Sequence, residues 1–106
     1  MNLIMRIFSA LRFIGTFFLV MHFSTAAIAD GKTLYSSNGC EGCHGTAGSG
    51  SVGPRLAGQQ EKYLVEQFKL IRDGERTSGL ATMMGPAVSG VNDDDIKVIA
   101  NYLSRL

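Results

Sequence analysis

Hydrophobic and polar positions divide the chain into two stretches of different character. Residues 1–29 hold Arg6 and Arg12, then an apolar run from Phe13 to Phe23, then Ala26-Ala27-Ile28-Ala29. From Asp30 onward the apolar residues are spaced rather than continuous. Lys32–Asn38 predicts a short helix with Leu34 and Tyr35 as its apolar contacts, closed by Gly39 in a left-handed turn. Gly45–Gly58 is rich in Gly and Ser and predicts a loop that wraps something. In Gln60–Asp73, Tyr63, Leu64, Phe68 and Ile71 recur at helical spacing. Glu61, Lys62, Glu66, Lys69 and Arg72 take the other faces, and Gly74 supplies a stop. Glu75–Val91 reads as irregular. A last helix starts at Asn92 as N-cap, with Asp93, Asp94 and Asp95 filling the first turn, where carboxylates meet the positive end of the dipole. Ile96, Ile99, Ala100 and Leu103 form its inner stripe. The pattern is all-α: three main helices joined by long loops, with no convincing strand. Loops this long between so few helices imply a bound group.

The first stretch changes how the rest is read. A positive start, an apolar middle and a small-residue exit are the parts of a secretory signal peptide. The expectation is a signal over residues 1–29, cleaved between Ala29 and Asp30, and one domain over residues 30–106. The alternative is a retained anchor. The apolar run is short for a span, which needs roughly 20 residues, and His22 and Ser24 lie in and beside it. Cleavage would deliver the domain to the periplasm with no membrane association.

Removal of the first stretch takes His22, Met1, Met5 and Met21 with it. The remaining domain carries eight Lys and Arg against nine Asp and Glu, a net charge of −1. No basic patch stands out, so nucleic acid is not expected as a partner. A domain this small often needs a staple beyond its own core. Its candidate metal ligands and staples are Cys40, Cys43, His44, Met83 and Met84.

Cys40-Glu41-Gly42-Cys43-His44 is C-x-x-C-H, the attachment signature of c-type haem. Two thiols three positions apart can reach the two vinyl groups of one haem and form thioethers. The adjacent histidine is then carried under the ring. Export suits this chemistry, because attachment takes place outside the bacterial cytoplasm. The rival readings are weaker. A disulfide between Cys40 and Cys43 closes a tiny loop and stabilises little. A thioredoxin-like pair wants a βαβ context. Zinc needs four ligands, and the domain offers three Cys and His. His44, the one histidine of the domain, is the proximal candidate. The sixth position falls to Met83, Met84 or a weaker donor.

The whole of residues 30–106 resembles a class I cytochrome c, of the small bacterial type related to cytochrome c4 and cytochrome c553. The resemblance rests on Cys40–His44, on Val52-Gly53-Pro54-Arg55-Leu56-Ala57-Gly58, and on Ala81–Ile96. Gly31 and Tyr35 resemble the family's N-terminal helix contact, and Ile99 and Tyr102 its partner on the last helix. The resemblance implies helices wrapped round one covalent haem c, with the first and last helices crossing where Gly31 permits close approach. It implies cofactor binding by Cys40 and Cys43, iron ligation by His44, and the Pro54 carbonyl as acceptor for the other ring nitrogen of His44. Met84-Gly85-Pro86 fits the family's M-x-P pattern, so Met84 is the expected sixth ligand, with Met83 as alternative. Leu34, Leu56, Leu64, Phe68, Val88, Ile99 and Leu103 are the expected haem wall and core. Arg55 and Arg76 are candidates to offset haem propionates, with solvated surface arginine as the plainer role.

No general base, nucleophile or open substrate site is evident, so the chain is not expected to be an enzyme. The function implied is electron transfer between a redox donor and a redox acceptor. An alternative follows from Gln59–Ile96, which is similar to the haem subunit of flavocytochrome c sulfide dehydrogenase and would make a flavoprotein the partner. A gas-binding cytochrome with a vacant sixth site is a third reading, disfavoured by methionine in the expected loop.

Overall fold

A computed structural model describes residues 30–106. The expected signal peptide at 1–29 lies outside the described residues. Among the described residues every regular element is helical: α1 Gly31–Ser37, α2 Glu41–His44, a 3-10 turn Thr46–Gly48, α3 Glu61–Arg72, α4 Ala81–Val88 and α5 Asp93–Ser104. None of these helices is long and apolar enough to cross a membrane.

Local chemistry explains most of the boundaries. The Asp30 carboxylate accepts from Thr33 N at 2.8 Å and caps α1. Asn92 Oδ1 accepts from Asp95 N at 2.8 Å and caps α5, ahead of the three aspartates of its first turn. Gly74 follows α3 at φ +74°, the left-handed conformation that ends a helix cheaply.

Packing follows the apolar stripes. Ile96, Ile99, Ala100 and Leu103 are buried along one face of α5, the spine of the fold. α1 and α3 pack on α5, and α4 packs on α3. Tyr35, Leu64, Ile71, Val88 and Val91 complete the core, with Leu34, Leu56, Phe68 and Met84 half-buried around it. At the α1–α5 crossing the backbone of Gly31 meets Tyr102, and a Cβ there would stand 2.6 Å from the Val98 carbonyl oxygen.

Two expectations are corrected. Glu75–Val91 is not irregular throughout, since Ala81–Val88 is helical with Pro86 inside it. Pro86 removes one helical N–H and argues against a helix locally. Burial of Val88 and docking of Ala81 and Met84 on the core outweigh that loss. Tyr63 is 49% exposed and lies outside the inner stripe. Leu64, Val65, Phe68 and Ile71 make the apolar contact of α3 with the core.

The charged face of α3 also does more than meet solvent. Lys69 Nζ lies 2.7 Å from Asp93 Oδ2, and Arg72 Nη1 lies 2.7 Å from Asp93 Oδ1. Arg72 Nη1 donates as well to the Val91 carbonyl at 3.0 Å. This cluster ties the end of α3 to the start of α5.

Candidate haem site

The attachment motif forms its own short helix. Cys40 is the N-cap of α2, and His44 N donates to Cys40 O at 2.9 Å. One helical turn places positions three apart on the same face, so Cys40 and Cys43 project from one side. Both are free thiols. Cys40 is half-buried and Cys43 exposed. Burial pushes the Cys40 thiol up from its ordinary pKa.

His44 is 8% exposed. Its Nδ1 lies 2.9 Å from the Pro54 carbonyl oxygen. A carbonyl only accepts, so Nδ1 donates, and in the neutral ring the lone pair then lies on Nε2. Among the described residues no buried side-chain nitrogen or oxygen lacks a partner. Nε2, which makes no hydrogen bond there, is therefore the reachable atom of the ring. Gly53 closes the other side. A Cβ at Gly53 would stand 2.8 Å from both Cε1 and Nδ1 of His44, so only glycine lets the Pro54 loop come this near.

Met83 and Met84 lie on α4. Met83 is 68% exposed, whereas Met84 is half-buried and packs against the core. The separation arises from a helix, where neighbours point about 100° apart, within the stretch that the sequence suggested to be irregular. Leu64, Val88, Ile99 and Leu103 are buried, and Leu34, Leu56 and Phe68 are half-buried against them. Arg55 is exposed, and Arg76 donates to Gln67 Oε1 at 2.9 Å.

These residues fit a covalent haem. The two thiols are unpaired and share a face. The imidazole is oriented by a carbonyl with Nε2 left free, and a thioether stands on a separate helix beside the same core. Sequence reasoning missed α2 as a helix, the steric contact of Gly53 with the His44 ring, and the Tyr35 hydroxyl, which donates to the Gly45 carbonyl at 2.7 Å. The Gly-Pro pair at 53–54 was the available signal for the second. The third had none, because a phenol's acceptor depends on where the chain returns.

The sequence matches the Cytochrome c family across residues 28–106. It is 45% identical over 67 residues to cytochrome c-554(548) of Halomonas halodenitrificans, covering 61% of this chain and 81% of that one. It is 36% identical over 86 residues to cytochrome c-553 of Nitratidesulfovibrio vulgaris, covering 78% and 82%. A further relative is the cytochrome subunit of sulfide dehydrogenase of Chlorobaculum tepidum, 38% identical over 68 residues, covering 63% and 59%. The chain thus spans most of the first two relatives and about three fifths of the third. It belongs to the cytochrome c family. Its fold is the all-helical cytochrome c domain, its cofactor is covalent haem c, and its work is to carry electrons between redox partners.

Proposed function

We propose that this chain is a periplasmic carrier of single electrons and not itself an enzyme. Residues 1–29 act as a signal peptide that is removed, and residues 30–106 form the working domain. Cys40 and Cys43 would hold the haem as thioethers, and His44 and Met84 would supply the ligands to its iron. The observation that carries this reading is the 2.9 Å contact of Pro54 O with Nδ1 of His44, the histidine of the C-x-x-C-H motif. Such a partner fixes the tautomer and raises the basicity of a ligating histidine.

When bound, the haem supplies a one-electron iron couple. The protein's part is to hold both ligands still and keep water away. His44 is clamped by Pro54 and by the absence of a side chain at Gly53. Met84 contributes a soft, neutral sulfur, and His/Met ligation raises the potential. Leu64, Val88, Ile99 and Leu103 supply an apolar surround that excludes water. Fixed ligands need little rearrangement when the charge on the iron changes, which suits repeated electron exchange.

Expression in a bacterial periplasm followed by intact mass tests the assignment. The expected product begins at Asp30 and carries the mass of one haem. A product retaining residues 1–29 would contradict the signal reading, and a haem-free product would contradict the attachment reading.

A second reading is favoured by one observation, the 38% identity to a cytochrome subunit of sulfide dehydrogenase. In it the same domain passes electrons for a catalytic flavoprotein. Size-exclusion of native periplasm separates the two, since co-migration with a flavin supports the subunit and a lone small haem protein supports the free carrier.

A further inference from the structure

The end of the attachment motif is held by donors from outside its own helix. Gly53 N donates to Cys43 O at 2.7 Å, and Gly50 N donates to His44 O at 2.6 Å. Tyr35 Oη donates to Gly45 O at 2.7 Å. The first two donors are backbone groups of the loop that carries Pro54. The third is a side chain of α1, and its ring is 1% exposed. Its acceptor, Gly45, takes φ 78° and ψ 170°, a conformation essentially restricted to glycine, and joins α2 to the 3-10 turn, its own N–H donating to Glu41 O at 3.0 Å. Gly48 N also reaches the Gly45 carbonyl, at 3.2 Å, the longer of the two bonds. Burial pushes the Tyr35 phenol up to about 12, which keeps it a neutral donor through the working pH range.

Ring packing alone does not call for this hydroxyl. The Tyr35 ring lies 6.2 Å from the Tyr102 ring, tilted by 54°, and phenylalanine would fill the same space. What phenylalanine lacks is the tie between α1 and the peptide that follows His44. We propose that Tyr35 is a positioning residue for the proximal ligand: by holding the Gly45 carbonyl, its hydroxyl fixes how the His44 ring meets Pro54. The proposal rests on His44 being an axial ligand. A firm Nδ1–H to carbonyl bond makes the ligating nitrogen more basic and favours oxidised iron. Loosening that bond therefore raises the potential.

Tyr35→Phe in the holoprotein tests this. The His44 Nδ1–H proton should shift in the NMR spectrum and exchange faster with solvent. The reduced-to-oxidised ratio at a fixed ambient potential should rise by about threefold, equivalent to ~28 mV at ~59 mV per tenfold. Asp93→Asn is the control. It breaks the cluster with Lys69 and Arg72, lowers stability and leaves both readouts at wild type. If Tyr35→Phe loses stability as Asp93→Asn does, but keeps the wild-type proton signal and potential, Tyr35 only packs and the proposal is overturned. Should Tyr35→Phe fail to accumulate as holoprotein, 3-fluorotyrosine incorporated at position 35 gives a stronger donor in the same place. The potential should then fall, and an unchanged potential overturns the proposal. Failure of the His44 assignment would be visible in the wild-type protein itself, as a His44 ring resonance unshifted by haem. The positioning proposal fails with that shifted resonance present and unmoved by substitution.

Discussion

The backbone of Gly31 lies directly against the side chain of Tyr102, so α1 and α5 cross with no side chain from α1 at the contact. A Cβ on Gly31 would overlap Tyr102 Cβ and crowd the Val98 carbonyl oxygen at 2.6 Å. Neither neighbour is the loose end of a flexible side chain. Alanine favours a helix interior by about 1 kcal/mol over glycine, and by less in the first turn. Overpacking costs about 1–3 kcal/mol, so the clash wins. Gly31→Ala should lower the unfolding free energy of the holoprotein by about 1–2 kcal/mol in chemical denaturation, the overpacking cost less the propensity gain. An unchanged midpoint would mean that the crossing is looser than its geometry indicates.

A second prediction concerns acid. Lys69 and Arg72 hold the Asp93 carboxyl down to about 2, from an ordinary 3.8. A carboxylate depressed in the folded state stabilises the protein above its unfolded pKa, and that stabilisation is lost as pH falls through the folded value. The contribution is therefore complete above pH 3.8 and fades toward about 2. The group is exposed, so salt should weaken the effect. Asp93→Asn should lower stability at neutral pH and flatten the fall between these two values. Thermal unfolding of wild type and variant, run across that window at low and high salt, measures the difference.

Gly53 supplies a third. Alanine there would place a methyl 2.8 Å from His44 Cε1 and Nδ1 and 3.2 Å from the Cys43 carbonyl oxygen. The ring must turn or the loop must back away. Gly53→Ala should destabilise the holoprotein by about 1–3 kcal/mol and weaken the bond to Pro54. The Nδ1–H proton should exchange faster and the potential should rise. A variant with wild-type exchange would show that the loop absorbs the methyl without disturbing the ring.

These residues also show which parts of the molecule the sequence reveals. Ile96, Ile99, Ala100 and Leu103 recur at the period of a helix, and Asn92 followed by three aspartates marks its start, so α5 is legible from local pattern. The chemistry of Cys40–His44 is equally local, because two thiols and one imidazole must fall within a single turn. α4 is not legible, since Gly85 and Pro86 argue against a helix and the burial that outweighs them is tertiary. Asp93 looks like a pure helix start. Its ion pairs come from residues 21 and 24 positions earlier, which no periodicity reveals. The contact of Gly53 with His44 and that of Tyr35 with Gly45 arise for the same reason: they depend on the return path of a loop.

In the proposed function His44 and Met84 would hold the iron, and of the two the sequence forces Met84 less, because Met83 stands beside it. Met84 is half-buried against the core, whereas Met83 is 68% exposed. Sulfur bound to ferric haem gives a far-red charge-transfer band, so the near-infrared absorption of oxidised Met84→Ala and Met83→Ala is the most direct measurement. Met84→Ala should abolish the band, lower the potential and allow carbon monoxide to bind the reduced protein, while Met83→Ala keeps the band at wild-type strength. Loss of the band in Met83→Ala with its survival in Met84→Ala would contradict the assignment and move the ligand one position back.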